Sequence, residues 1–318
     1  MTNQLVTIDQ MKAAWSTIQD KVHRTPMSHS TFFSNTTHCN IYLKEELFQK
    51  TGSFKVRGVS NKMNSLTAEE KAKGVITISA GNHAQAVAWS AGQYGIPATV
   101  VMPANSVPSK QQATSDYGGE VILTDGPLLD TMLGIQKERD LVFVHPFDDP
   151  LIIAGHGTCG LEIVEDVPNV DAVLIGVGGG GLISGVAAAV KQLVPGAKVY
   201  GIEPEGAPTM TKSLERGEPN TLSSISTIAD GLSAPFVGAH NLAHVQAFVD
   251  DVVLVTEDEI RHALRLIWDR TKLMAEPAAA AAMAGLLTEK VSVPAGSNVC
   301  VIMCGGNVNL DDVSTLLI

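Results

Sequence analysis

The stretch Ala172–Gly185, AVLIGVGGGGLISG, runs from an apolar segment through four consecutive glycines, Gly178, Gly179, Gly180 and Gly181, into a helical pattern over Leu182–Leu193. A short, continuous run such as Ala-Val-Leu-Ile is what a strand covered on both faces requires. Glycines let backbone N–H groups close around an anion, and the helix that follows adds the positive end of its dipole. A plain strand-to-helix turn needs no run of four glycines, so the stretch reads as a phosphate cradle. The same residues leave a second reading open. Gly176, Gly178 and Gly181 spell GxGxxG, and Glu203 ends the next candidate strand, a pattern shared with NAD-dependent oxidoreductases.

Similar apolar runs recur on both sides of this stretch. Val75–Ser79, Ala98–Met102, Glu120–Thr124, Lys198–Ile202, Asp251–Val255 and Asn298–Met303 are candidate strands. Helical patterns lie between them at Ala84–Tyr94, Pro108–Tyr117, Gly160–Glu165 and Glu257–Arg270. Thr256 with Glu259 forms a capping box for the last, and Pro277 opens a further Ala-rich helix at its first position. Repeated βα units predict an α/β fold with parallel-type twisted sheets flanked by helices. The units fall into two series, roughly 74–143 and 171–304, which predicts two domains.

The 318 residues carry 22 basic and 33 acidic side chains, a formal net charge of −11. Such a chain repels nucleic acid and anionic membranes, and no basic cluster reverses this locally. No apolar run reaches the length of a membrane span, and MTNQLVTIDQ shows no signal-peptide pattern, so a cytoplasmic protein is expected. The cysteines Cys39, Cys159, Cys300 and Cys304 form no CxxC pair, and a reducing compartment is expected. Cys300 and Cys304 lie four apart in an apolar run and read as one face of a buried strand.

Two further stretches carry chemistry. Ser79–His83, SAGNH, follows a strand and opens a helix, a place where N–H groups can hold a carboxylate. Lys50–Gly58, KTGSFKVRG, sets Lys55 just after a Thr-Gly-Ser turn. Its amine serves as Schiff-base nucleophile and general base if its surroundings lower its pKa; otherwise Lys55 and Arg57 read as a solvated helix face. His240 and His244, four apart, read as a surface helix because no third metal ligand accompanies them, and His145 and His156 read as loop residues.

Taken together, GSFKVRG, SAGNHAQAVA, HPFDDPLIIAGHGT, GVGGGGLISG, ADGL and CGGNVNL occur in the order found in pyridoxal-phosphate enzymes of fold type II. Over about Thr25–Leu310 the chain most resembles the serine/threonine dehydratase and serine racemase family. The resemblance implies a large domain from residues 1–51 and 149–318, a small domain from 52–148, and pyridoxal 5′-phosphate in the cleft between them. It implies that Lys55 is the Schiff-base lysine and general base, with Phe54 packed beside the cofactor. Gly178–Gly181 and Leu182 match the phosphate cradle, Asn82 the partner of the pyridoxal 3′-oxygen, and Gly231 and Glu276 ring-side positions. Cys304 falls near the pyridine nitrogen. Ser79, Ala80, Gly81, Asn82 and His83 match the loop for the substrate carboxylate. The implied reaction is dehydration and deamination of L-threonine or L-serine to a 2-oxo acid and ammonia, by a homodimer acting on a small hydroxy-amino acid. Serine racemase and 3-hydroxyaspartate dehydratase are alternatives within the family, and an NAD-dependent oxidoreductase or a phosphate-ligand binder lies outside it.

Departures from the family pattern sharpen the expectation. Racemases resemble SSGNH where this chain has Ala80, so a proton donor on the second face is missing and dehydration is favoured. The family's Mg²⁺ or Ca²⁺ site resembles a Glu, a carbonyl four on and an acid two further. Here these are Glu203, Ala207 and Thr209, and loss of the last carboxylate weakens the expectation of a metal. AGQGT is AGHGT here, with His156, and the sequence offers no account of that change.

Overall fold

A computed structural model describes residues 4–317; Met1–Asn3, the start of the stretch read above for targeting, and Ile318 lie outside the described residues. The strands are β1 Met27–His29, β2 Asn40–Lys44, β3 Val75–Ile78, β4 Ala98–Pro103, β5 Glu120–Thr124, β6 Val142–Phe143, β7 Ala172–Gly176, β8 Lys198–Pro204, β9 Asp251–Val255 and β10 Asn298–Ile302. The α-helices are α1 Ile8–Ile18, α2 Thr31–Thr37, α3 Lys55–Ser65, α4 Ala68–Lys73, α5 Asn82–Gly92, α6 Pro108–Asp116, α7 Leu128–Arg139, α8 Pro150–Asp166, α9 Gly181–Leu193, α10 Thr209–Arg216, α11 Ala239–Phe248, α12 Glu257–Thr271, α13 Pro277–Leu287 and α14 Val313–Leu316.

The strands form two sheets. A six-stranded sheet has the order β1-β2-β10-β7-β8-β9, and a four-stranded sheet has the order β5-β4-β3-β6. Among the described residues, the strand pairings are parallel except β1 with β2, where Met27 faces Lys44. Every residue of β7 is buried, with α9 and α13 packed against it. Val173, Leu174 and Ile175 each contribute about 1.5–3 kcal/mol by leaving water. The loops after β3, β7 and β10 leave the carboxyl ends of parallel strands, the edge at which open α/β sheets bind ligands.

Several sequence expectations change. Cys304 lies beyond β10, so it does not share a strand face with Cys300. The helix expected over Gly160–Glu165 is α8, which starts at Pro150 behind an Asp149 cap, and His156 is a buried residue in its middle rather than a loop residue. The glycines that weigh against a helix there let helices meet closely. A Cβ on Gly155 would reach within 2.6 Å of Gly58 Cα, and one on Gly160 within 2.7 Å of Ala189 Cβ. α11 is not simply a surface helix: His244 is fully buried, accepts the Val6 N–H at 2.8 Å through Nε2, and pairs with the His240 carbonyl through Nδ1. The short strands β1, β2 and β6 carry no alternating or continuous apolar signal long enough to read.

No helix among the described residues is long and apolar enough to cross a membrane.

Candidate active site

Lys55 is the first residue of α3, and the turn before it is pinned to a distant part of the chain. Gly52 takes φ 71°, a left-handed value that suits glycine. Phe54 N–H donates to Cys304 O at 3.1 Å, Gly306 N–H to Gly52 O at 2.9 Å, and Asn307 Nδ2 to Thr51 O at 2.8 Å. Ser53 and Gly305 form an isolated antiparallel bridge. The half-buried Lys55 amine donates to Pro146 O at 2.9 Å and lies 5.2 Å from the centre of the Phe54 ring. Among the described residues it has no carboxylate partner within ion-pair distance. Desolvation pushes its pKa down to about 8, against the opposing fields of Cys304 and Glu276.

Two residues on, Arg57 is wholly buried rather than solvated. Its guanidinium grips Glu46 at 2.7 Å and 2.8 Å and Glu162 at 2.7 Å and 2.9 Å, with Thr158 Oγ1 at 3.2 Å. Lys44, also buried, meets Glu162 at 2.7 Å and donates to Thr25 O at 2.7 Å. Burial alone would raise the Glu46 carboxyl, but Arg57 outweighs it and holds the pKa below the usual range.

Beside Lys55, Asn82 opens α5. Its Nδ2 donates to both Glu276 oxygens at 2.9 Å and 3.1 Å, and its Oδ1 accepts from Asn307 Nδ2 at 2.7 Å. Glu276 begins α13 ahead of Pro277, and burial raises its carboxyl despite the Asn82 amide. Gly231 and Gly305 flank this carboxylate; a Cβ at Gly231 would stand 3.3 Å from Glu276 Oε1. Cys304 is buried, and burial holds its thiol well above the usual value, so it stays protonated.

In the loop after β3, Ser79 Oγ accepts the Gly81 N–H at 3.2 Å, while the N–H groups of Ala80 and Asn82 have no acceptor among the described residues. His83 differs from the rest of its motif. Its ring turns beneath the loop, with Nε2 at 3.0 Å from Thr77 Oγ1, so it is not at the loop's mouth.

The glycine loop packs on Phe147, the residue after the Pro146 carbonyl that Lys55 meets. Gly180 precedes α9 with φ 90°, and Asn241 Nδ2 fixes Gly179 O at 2.8 Å. Phe147 packs where a Gly179 or Gly181 side chain would stand. No group among the described residues accepts from the N–H groups of Gly178, Gly179, Gly181 or Leu182. Gly178 and Gly179 are only partly buried. Open N–H groups at a helix start, glycines with no room for a Cβ, and a desolvated amine fit a phosphate-bearing aldehyde cofactor. His145, Phe147, Asp148, Asn241 and Asn307 complete these walls. For all but Asn241, the one sequence signal is membership of HPFDDP or CGGNVNL.

The Glu203 corner does not fit a cation. Both carboxylate oxygens are taken by the start of α10, from Met210 N at 2.7 Å and from Thr211 N and Oγ1 at 2.8 Å and 2.7 Å. Ala207 O accepts the Thr209 N–H at 2.9 Å, and Thr209 Oγ1 donates to Ala234 O at 2.8 Å. Burial raises Glu203 to about 7, opposed by the α10 amides. Among the described residues no cluster of three His, Cys, Asp or Glu side chains could hold a metal.

Comparison with known proteins agrees with this geometry. The family described as "Pyridoxal-phosphate dependent enzyme" matches residues 18–305. L-threonine ammonia-lyase of Thermotoga maritima is 43% identical over 317 residues, 98% of this chain and 78% of the relative. L-threonine dehydratase catabolic TdcB of Staphylococcus aureus is 41% identical over 322 residues, covering 99% and 93%. Among solved structures, maize serine racemase superposes with a TM-score of 0.94 at 38% identity, covering 98% and 97%. The processed form of threonine deaminase isoform 2 from Solanum lycopersicum gives 0.91 at 35%, covering 99% and 95%. The chain therefore belongs to the family of pyridoxal-phosphate dependent enzymes of fold type II.

Proposed function

We propose that this enzyme dehydrates and deaminates L-threonine, L-serine or both to a 2-oxo acid and ammonia. The observation that carries this reading is the Lys55 amine, desolvated and, among the described residues, without a carboxylate at ion-pair distance; it is held on Pro146 O, next in sequence to the Phe147 that packs on the glycine loop with its open N–H groups. The names of the threonine ammonia-lyase and dehydratase relatives support it.

In this reading Lys55 holds the cofactor aldehyde, Gly178–Gly181 and Leu182 hold the phosphate, and Phe54, Gly231 and Glu276 line the ring. Asn82 serves the 3′-oxygen once its amide is shared with the cofactor rather than with Glu276 alone. Bound pyridoxal phosphate supplies an electron sink for the substrate's α-carbon. Lys55, with a pKa near 8, is a competent base for the α-proton at neutral to mildly alkaline pH. The neutral Cys304 thiol is a weak donor and would not hold a ring nitrogen charged. Ser79, Ala80, Gly81 and Asn82 hold the substrate carboxylate. Ala80 has no proton to deliver to the other face, which favours elimination over the racemisation named for the maize neighbour. Residues 1–51 with 149–318 and residues 52–148 act as the large and small domains around the cleft, in a cytoplasmic homodimer.

A panel of L-threonine, L-serine, D-serine and 3-hydroxyaspartate, scored separately for 2-oxo acid and for inverted amino acid, tests the reading. Dominant 2-oxo acid from L-threonine or L-serine is expected. Abundant D-serine from L-serine would defeat the Ala80 argument.

A further inference from the structure

The carboxylate of Glu203 sits at the end of β8, and the helix that follows aims its first N–H groups at it. α10 has no side-chain cap of its own, since Pro208 occupies the cap position. Glu203 fills that role from outside the helix, through Met210 N, Thr211 N and Thr211 Oγ1. The positive end of a helix dipole and a divalent cation compete for the same lone pairs. Here the helix holds them, and the third position of a cation site is a threonine whose hydroxyl is engaged with Ala234.

The consequence reaches the glycine loop. A Cβ on Gly180 would come within 2.7 Å of Met210 Cε and 3.0 Å of Asn241 Cβ. Met210 is fully buried, and its methyl end fills the space beside the left-handed residue that precedes α9. The Glu203 bond to Met210 N holds the backbone from which that side chain extends.

We infer that Glu203 is a positioning residue for the phosphate cradle: its carboxylate, in place of a divalent cation, anchors α10 and through Met210 fixes Gly180. The corner is a self-contained joint between β8 and α10. Removing the carboxylate loosens the loop that binds phosphate without touching Lys55.

The test is the dissociation constant of pyridoxal phosphate for the 318-residue chain, measured beside the thermal midpoint in EDTA, in Mg²⁺ and in Ca²⁺. Wild-type values should agree across the three media. Glu203→Ala should weaken cofactor binding by roughly tenfold, as loss of a supporting shell does at other sites, and no divalent ion should restore it. Glu203→Gln, which keeps one acceptor oxygen, should recover part of the loss. Met210→Ala leaves the carboxylate joint intact and should also weaken binding, which keeps the inference testable if Glu203→Ala does not fold. A gain in wild-type affinity or midpoint with Mg²⁺ or Ca²⁺ would overturn it. So would variants that lower the midpoint while leaving the cofactor dissociation constant unchanged.

Discussion

Lys55 and Arg57 stand two residues apart on the first turn of α3, and their surroundings make them opposites. Arg57 is wholly buried between two carboxylates that hold it charged at every accessible pH. Among the described residues Lys55 has a carbonyl at 2.9 Å and no carboxylate at ion-pair distance, and desolvation brings it to about 8. A buried cation with paired anions is an anchor; a desolvated amine without them is a base. The helix needs both, because the anchor fixes the helix that aims the base.

Substitutions can separate the two roles. Lys55→Ala should abolish turnover, a fall of at least about 10³-fold in kcat/KM, since it removes nucleophile and base together. Measured without cofactor, its thermal midpoint should not fall, because no ion pair is lost and a desolvated amine is removed. Arg57→Ala should do the reverse. It leaves Glu46 and Glu162 buried and uncompensated, costing about 3–5 kcal/mol in chemical denaturation. Arg57→Lys sharpens the point: a single ammonium cannot reproduce the paired N–H grip on both carboxylates, so a smaller but measurable loss is expected. If Arg57→Lys were fully stable, the anchor would be charge alone rather than geometry.

The smallest expected effect concerns His156, whose ring packs 4.8 Å from Phe54 and whose two nitrogens have no partner among the described residues. Burial, then the nearby Lys55, holds its pKa well below the ordinary value of 6.5. The unfolded chain therefore binds a proton that the folded chain refuses. This contribution to stability is complete above pH 6.5 and declines as pH falls from there toward the folded pKa. His156→Gln should flatten the acid side of a stability profile between about pH 6.5 and 5, leaving neutral pH nearly unchanged. An unaltered acid limb would show that other groups control it.

Much of this was legible in the sequence. The glycine loop, the strand before it and the Thr256 capping box form where their residue types require. The parallel pairing follows from the repeated βα order. Arg57 was not legible, because Thr158 and Glu162 reach it only through packing of α3 on α8, and Glu46 only from the separate turn at Glu46–Phe48. The start of α8 was hidden because glycines that break an isolated helix also allow close helix contact. The Glu203 corner reads as a weakened metal site until the direction of the α10 N–H groups is known. Asn307 carried no local signal beyond its place in CGGNVNL, although it holds both Thr51 and Asn82.

The pinning of the Lys55 turn also bears on biosynthesis. Asn307 and Thr51 are 256 positions apart in the chain. Contacts of such sequence separation close late, after the local βα units have formed. On a ribosome, the turn carrying Lys55 stays unset until the segment 304–307 has emerged. The amine is thus produced early but aimed last, and a polypeptide truncated before that segment is expected to fold its strands without assembling a reactive centre.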